Sequence, residues 1–148
     1  MLIETSRFGP VEIDAERLIT FREGILGFAQ QRVFTLLQTS SDVFYWLQSV
    51  DDPALAFVVC DPRHFVPDYQ VPVRADDVAP LGLTDSEDCQ VLVIVNKVDG
   101  VLTGNLLGPL VIGATSRLAR QFVLADKRYS TRHALVEVSA PRAVARSA

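Results

Sequence analysis

The chain has 148 residues, 49% of them hydrophobic and 22% charged, with a formal net charge of −4. That balance excludes a disordered chain, and the length suits one domain with a core of its own. No apolar run reaches the roughly 18 residues that a membrane span needs, and the opening MLIETSRFGPVEID lacks the basic and apolar parts of a secretory signal, so the expected location is the cytoplasm.

Taken in chain order, the pattern is mostly β. Residues 2–5 (LIET) and 18–21 (LITF) are short strand-like runs on either side of Gly9-Pro10, which reads as a turn. Residues 32–37 and the aromatic-rich 44–49 (FYWLQS) predict two more strands. Asp51-Asp52-Pro53 breaks the second of these. Residues 55–60 (LAFVVC) form a continuous apolar run, as in a strand covered on both faces, and Asp61-Pro62 ends it. Residues 69–73 predict an edge strand, because Pro72 cannot donate to a ladder. Residues 76–83 predict one helical turn, cut by Pro80 and Gly82.

Asp99-Gly100 between apolar residues 90–98 and 101–107 predicts a hairpin with a type I′ turn. Gly108-Pro109 bends the chain, with Gly108 read as the end of a strand, before residues 110–112. Residues 120–124 predict a late strand. Residues 116–120 and 130–135 look like short helices. The expected fold is an antiparallel β-barrel-like single domain over 1–138, with one or two short helices and a disordered tail at 139–148.

Charge is unevenly spread. Between residues 42 and 99, eleven acids face only Arg63, Arg74 and Lys97, a local balance of −8. From Arg117 onward, seven bases face Asp126 and Glu137, giving +5. The acidic middle argues against direct nucleic-acid binding, since phosphate contacts need clustered Lys and Arg. It suits docking onto a basic partner, with Asp51, Asp52, Asp76, Asp77, Asp85, Glu87 and Asp88 as candidate contacts. The plainer reading is that these acids solvate loops.

Residues that could carry chemistry are few. His64 and His133 have neither HxH nor HExxH spacing, so no metal site is expected. Cys60 and Cys89 lie in or beside apolar segments without CxxC spacing and read as reduced thiols. Gly24-Ile25-Leu26-Gly27 is too short to cradle phosphate, and no nucleophile motif or Walker loop occurs. Neither a catalytic constellation nor a cofactor is expected.

Four blocks carry a resemblance. Phe21 with Gly24, Ile25, Gly27 and Phe28 matches the opening F-x-x-G-I-P-G-F of the FliW family, with Leu26 in place of the usual Pro. Phe44, Leu47, Gln48, Ser49, Asp52, Leu55, Ala56 and Phe57 resemble its F-x-x-L-Q-S-x-x-D-x-x-L-A-F block. Thr103, Asn105, Leu106, Pro109 and Ile112 resemble its T-x-N-L-x-A-P-I-x-I-N block, with Gly108 at the usual Ala. Arg117, Gln121, Val123, Leu124, Tyr129 and Arg132 are similar to its closing block. Most of these residues read as structural, maintaining the barrel. The resemblance implies a non-enzymatic assembly factor, monomeric when free. Its partners would be the translational repressor CsrA, which it antagonises, and flagellin, which competes for it. The alternative is a small-molecule-binding barrel or minor enzyme using its interior, with Gln48, Asn105 and Gln121 lining a pocket.

Overall fold

The computed structural model describes residues 1–82 and 88–138. Asp85, Glu87 and the expected tail lie outside them. Among these described residues eleven strands are present: β1 (Leu2–Thr5), β2 (Gly9–Glu12), β3 (Ile19–Phe21), β4 (Val33–Gln38), β5 (Phe44–Ser49), β6 (Ala56–Cys60), β7 (Cys89–Val98), β8 (Val101–Gly104), β9 (Leu110–Gly113), β10 (Leu118–Gln121) and β11 (His133–Glu137). Among the described residues the named helical elements are α1 (Ala75–Val78) and 3-10 turns at Ala15–Arg17, Pro62–His64 and Ala79–Leu81.

Seven strands close into a barrel. β3 to β7 follow one another as antiparallel neighbours. β7 then pairs with β9, and β9 with β10. The ring shuts where β10 lies parallel to β3, with Leu118 opposite Thr20 and Ala119 opposite Phe21. The ten-residue β7 serves two structures: its first half pairs with β9 inside the barrel, and its second half pairs with β8 in a flap that β11 extends. β1 and β2 form a separate hairpin.

Period-2 alternation fills the interior. All seven barrel strands point apolar side chains inward: Ile19 and Phe21, Phe34, Leu47, Val59, Leu92, Leu110 and Ile112, and Ala119, packed with Ile25. Phe21 and Phe34 meet edge to face at 5.6 Å. The interior is thus occupied by side chains, which removes the room that a barrel-interior ligand site needs. β6 and β7 are apolar on both faces because their outer faces are covered as well. Cys60, Val93 and Val95 pack there with Tyr69 and Leu106. Burial pushes the Cys60 thiol up to about 12, so it stays protonated as a small hydrophobe. Cys89 is half-buried, and no disulfide joins the two.

The Tyr69 hydroxyl ties this outer layer down by donating to the Leu106 carbonyl at 2.6 Å, out of contact with water. Tyr69→Phe is expected to cost about 1–2 kcal/mol by orphaning that carbonyl. Urea unfolding should show a lower midpoint with an unchanged slope. An unchanged midpoint would mean that the carbonyl finds another donor.

The hairpin turn predicted at Asp99-Gly100 has φ of 50° and 79°, the two positive values that a type I′ turn requires. Several other expectations are corrected. Gly9-Pro10 is not a turn but the start of β2; the reversal is at residues 6–8. The edge strand expected at residues 69–73 does not form, because Pro72 interrupts donation there. Residues 116–120 and 130–135 are not helices. Each leads into a strand that tertiary pairing supplies, β10 against β3 and β9, and β11 against β8. Gly108 lies in a bend rather than in a strand.

Candidate partner-binding surface

Since the interior is filled, function has to reside on the outside. Two family-motif blocks build rigid surface features. In the first, Gln48 is fully buried at the end of β5. Its Nε2 donates to the carbonyls of Ser49, Pro53 and Leu55 at 3.0, 3.2 and 3.2 Å. Ser49 Oγ accepts the backbone N–H groups of Asp51 and Asp52, and Asp52 Oδ1 accepts that of Ala54. The Pro53 carbonyl also accepts the N–H of Ser6, docking the β1–β2 hairpin. One buried amide thereby organises the turn that carries Asp51 and Asp52. Its Oε1 has no partner among the described residues.

The second feature is the loop after β3. The Gly24 φ is +70°, and a Cβ there would lie 2.6 Å from the Ala29 Cα. Ile25 and Phe28 pair across the loop, and Phe28 meets Phe57 edge to face at 5.1 Å. At the tip the Leu26 N–H donates to Gln121 Oε1 at 2.8 Å, across 95 residues of sequence. Gln121 Nε2 in turn donates to the Gly108 carbonyl at 3.0 Å. A Cβ at Gly108 would lie 2.7 Å from the Asn105 amide and 2.8 Å from that of Gln121, so the bend and the two amides are fitted together. Asn105 Oδ1 accepts the N–H of Leu107. Gln48, Asn105 and Gln121 thus brace loops and line no interior pocket.

This bracing holds an apolar side chain in water. Leu26 is 68% exposed, and Val123, two residues beyond Gln121, is 73% exposed. In the sequence Leu26 stands out only as a departure from the usual Pro of the opening block. The available signal was an apolar residue at the tip of a glycine-bounded loop.

The candidate acids fall on separate elements. Asp51 and Asp52 sit between β5 and β6, Asp76 and Asp77 on α1, and Asp88 just before β7. Asp51, Asp76 and Asp88 are exposed. Asp52 and Asp77 are half-buried and do local work. Asp77 Oδ2 accepts the Arg74 N–H at 2.8 Å, capping α1, with the Arg74 guanidinium at 3.9 Å. Asp77 also borders an open groove of about 750 Å³ whose other charged walls are Arg120, Asp126 and Lys127, so that groove is charge-balanced. The side chain and backbone N–H of Arg128 hold the Asp126 carboxyl well below the usual range, at about 2. His64 is exposed, and His133 packs against the Tyr129 ring at 5.6 Å. Among the described residues, no group of three or more His, Cys, Asp or Glu side chains is placed to hold a metal, and no helix is long and apolar enough to cross a membrane.

A small, closed, side-chain-filled β-barrel with braced outer loops belongs to the class of proteins that present an outside surface. Comparison with known proteins makes the class specific. The family model described as FliW protein matches residues 2–135. A Flagellar assembly factor FliW of Bdellovibrio bacteriovorus is 42% identical over 135 residues, covering 89% of this chain and 77% of its own length. That of Heliobacterium modesticaldum is 38% identical over 143 residues, covering 95% and 94%. A crystal structure of the flagellar assembly factor FliW superposes with a TM-score of 0.83 at 34% identity, covering 92% of this chain and 97% of that one. The chain belongs to the FliW family.

Proposed function

We propose that this chain is a cytoplasmic flagellar assembly factor. It binds CsrA and antagonises its repression of flagellin mRNA, and it binds flagellin as the competing partner, with no catalysis of its own and no direct contact with nucleic acid. The observation that carries this reading is the family match over residues 2–135. The side-chain-filled barrel supports it, because it leaves the outer surface as the place to act. Charge gives the antagonism a physical form. An RNA-binding repressor carries a basic surface. A protein with a local −8 stretch, docked beside that surface, repels phosphate without occupying the RNA groove.

The test is a titration into a CsrA–RNA complex at low and physiological salt. RNA release should be stronger at low salt, since exposed charge pairs are screened over about 8–10 Å at physiological ionic strength. No release at low salt would overturn the antagonist reading. Asp76→Lys is the cleaner charge reversal, because Asp76 is exposed while Asp77 caps α1. It should lower the association rate several-fold and leave dissociation nearly unchanged, as rim charges act on steering. Unchanged association would move the CsrA contact off α1.

Leu26 is the proposed apolar anchor, since a rigidly held exposed leucine is the kind of group that partner pockets enclose. Leu26→Asp should shift stability by only about 0.5 kcal/mol, as an exposed site does. It should weaken capture of flagellin or CsrA at least tenfold. Equal affinities for both partners, with the melting midpoint preserved, would remove Leu26 from the contact surface.

A further inference from the structure

β10 ends at Gln121, but its hydrogen bonding continues. The Phe122 N–H donates to the Pro109 carbonyl at 2.9 Å and the Leu124 N–H to that of Leu107 at 2.8 Å, so the chain runs on extended beside residues 107–109. Alternation then turns the N–H and carbonyl groups of Val123 and Ala125 to the opposite side. There they have no hydrogen-bond partner among the described residues. β3 fills that side for Leu118 and Ala119, but after Phe21 the chain folds back, with the Gly24 N–H on the Phe21 carbonyl, and leaves the later residues uncovered. The result is a short open strand edge along the groove of about 750 Å³ that residues 120–127 line.

This edge is reachable and unguarded. Val123 and Ala125 are both exposed. Folded sheets blunt their open edges with charge or proline, and the edge strands of the two sheets here carry Glu4 on β1, Pro10 on β2 and Glu137 on β11. Residues 121–125 (QFVLA) contain neither device. The charges along the groove are largely matched within the chain, Arg120 with Glu23 at 3.6 Å, Asp77 with Arg74 at 3.9 Å and Asp126 with Arg128 at 2.8 Å. What they leave unmet is main-chain hydrogen bonding and apolar surface. Alternation also puts the Val123 side chain on the face that Gln121 uses to hold the Leu26 N–H, so the edge continues the surface proposed around Leu26.

We propose that an extended segment of a protein partner adds to this edge as a further strand, apolar where it meets Val123 and uncharged opposite the groove's matched charges. In such strand addition the main-chain bonds give affinity and the alternate side chains give specificity. This docking mode rests on the reading of the chain as a protein-binding factor and gives the bound partner a definite conformation.

The test is backbone amide hydrogen exchange of the ¹⁵N-labelled full chain, alone and saturated with full-length flagellin or CsrA in separate arms, with each complex checked by size-exclusion chromatography. In the free chain the Val123 and Ala125 amides should exchange fast and those of Phe122 and Leu124 slowly. In at least one complex the Val123 and Ala125 amides should slow by about tenfold or more. Ala125→Pro removes one edge donor at an exposed site and should weaken capture about tenfold with the melting midpoint unchanged. Ala125→Gly keeps the N–H and should bind within about twofold of wild type. A complex in which both amides keep their free rates overturns the strand addition and leaves the protein-binding reading standing, as does full-strength capture by Ala125→Pro. Slowing of the two amides with rising concentration of the free chain would give the edge to a second copy and overturn the assignment to a partner. No complex in either arm overturns the protein-binding reading and this docking mode with it.

Discussion

Gly24→Ala should lower the melting midpoint by about 10 °C, because two costs fall on one atom. At φ +70° an alanine pays about 1–2 kcal/mol for the left-handed conformation alone. Its Cβ would also sit 2.6 Å from the Ala29 Cα and 2.9 Å from that residue's carbonyl carbon and oxygen. These are backbone atoms, which cannot rotate away as a side chain can. The loop cannot easily yield either: the Gly24 N–H bonds the Phe21 carbonyl at 2.9 Å, and the Phe28 N–H bonds that of Ile25. A total near 3 kcal/mol corresponds to roughly 10 °C at about 3–4 °C per kcal/mol for a chain of this size. Gly27→Ala is the control. Its φ is +86°, but a Cβ there meets nothing within 4 Å, so only the conformational cost applies, about 3–8 °C. Thermal melts of the two variants side by side decide the matter. Equal small drops would show that the chain at Ala29 gives way.

Gln48→Glu is expected to destabilise more strongly, and in a pH-dependent way. The change puts a carboxyl oxygen where Nε2 now donates to three carbonyls, at a position with no exposure. An ionised carboxylate there faces three carbonyl oxygens without a cation, so the folded state holds the group protonated and its pKa rises. The unfolded chain ionises near the ordinary value of about 4.3. Below that pH both states are neutral, and only the lost hydrogen bonds count. Above it the unfolded state releases its proton while the folded state retains it, so stability falls as pH rises. The difference from wild type should therefore be modest near pH 4 and reach several kcal/mol near pH 7. Melts of both proteins across that range measure it. A difference that stays constant with pH would mean that the carboxylate is hydrated in place and that the turn around Asp51 and Asp52 has opened.

Period-2 alternation and turn chemistry are local properties, and what depends on them was readable from sequence alone. The strands expected at residues 32–37, 44–49 and 55–60 are found at Val33–Gln38, Phe44–Ser49 and Ala56–Cys60. The both-face burial of the last follows from its unbroken apolar run, and the Asp99-Gly100 turn follows from the two residues that tolerate positive φ. The family blocks likewise identified the chain, because they recur at fixed spacing.

Whatever depends on residues far apart in sequence was decided only by the tertiary structure. Residues 118–121 form a strand because β3, almost a hundred residues earlier, offers a parallel edge, although residues 116–120 read as helix-like and the late strand is expected at 120–124. β11 exists because β8 leaves an edge open. Leu26 stands exposed at a loop tip where Gln121, 95 residues away in sequence, holds its N–H. Of the candidate acids, Asp51 and Asp52 lie between β5 and β6, Asp76 and Asp77 on α1 and Asp88 just before β7, a division among elements that their order in sequence does not specify. Alternation dictates which face of a strand is buried, but not which strand it meets. That choice comes from closing the barrel, which buries the most apolar surface while leaving no ring strand with an unpaired edge.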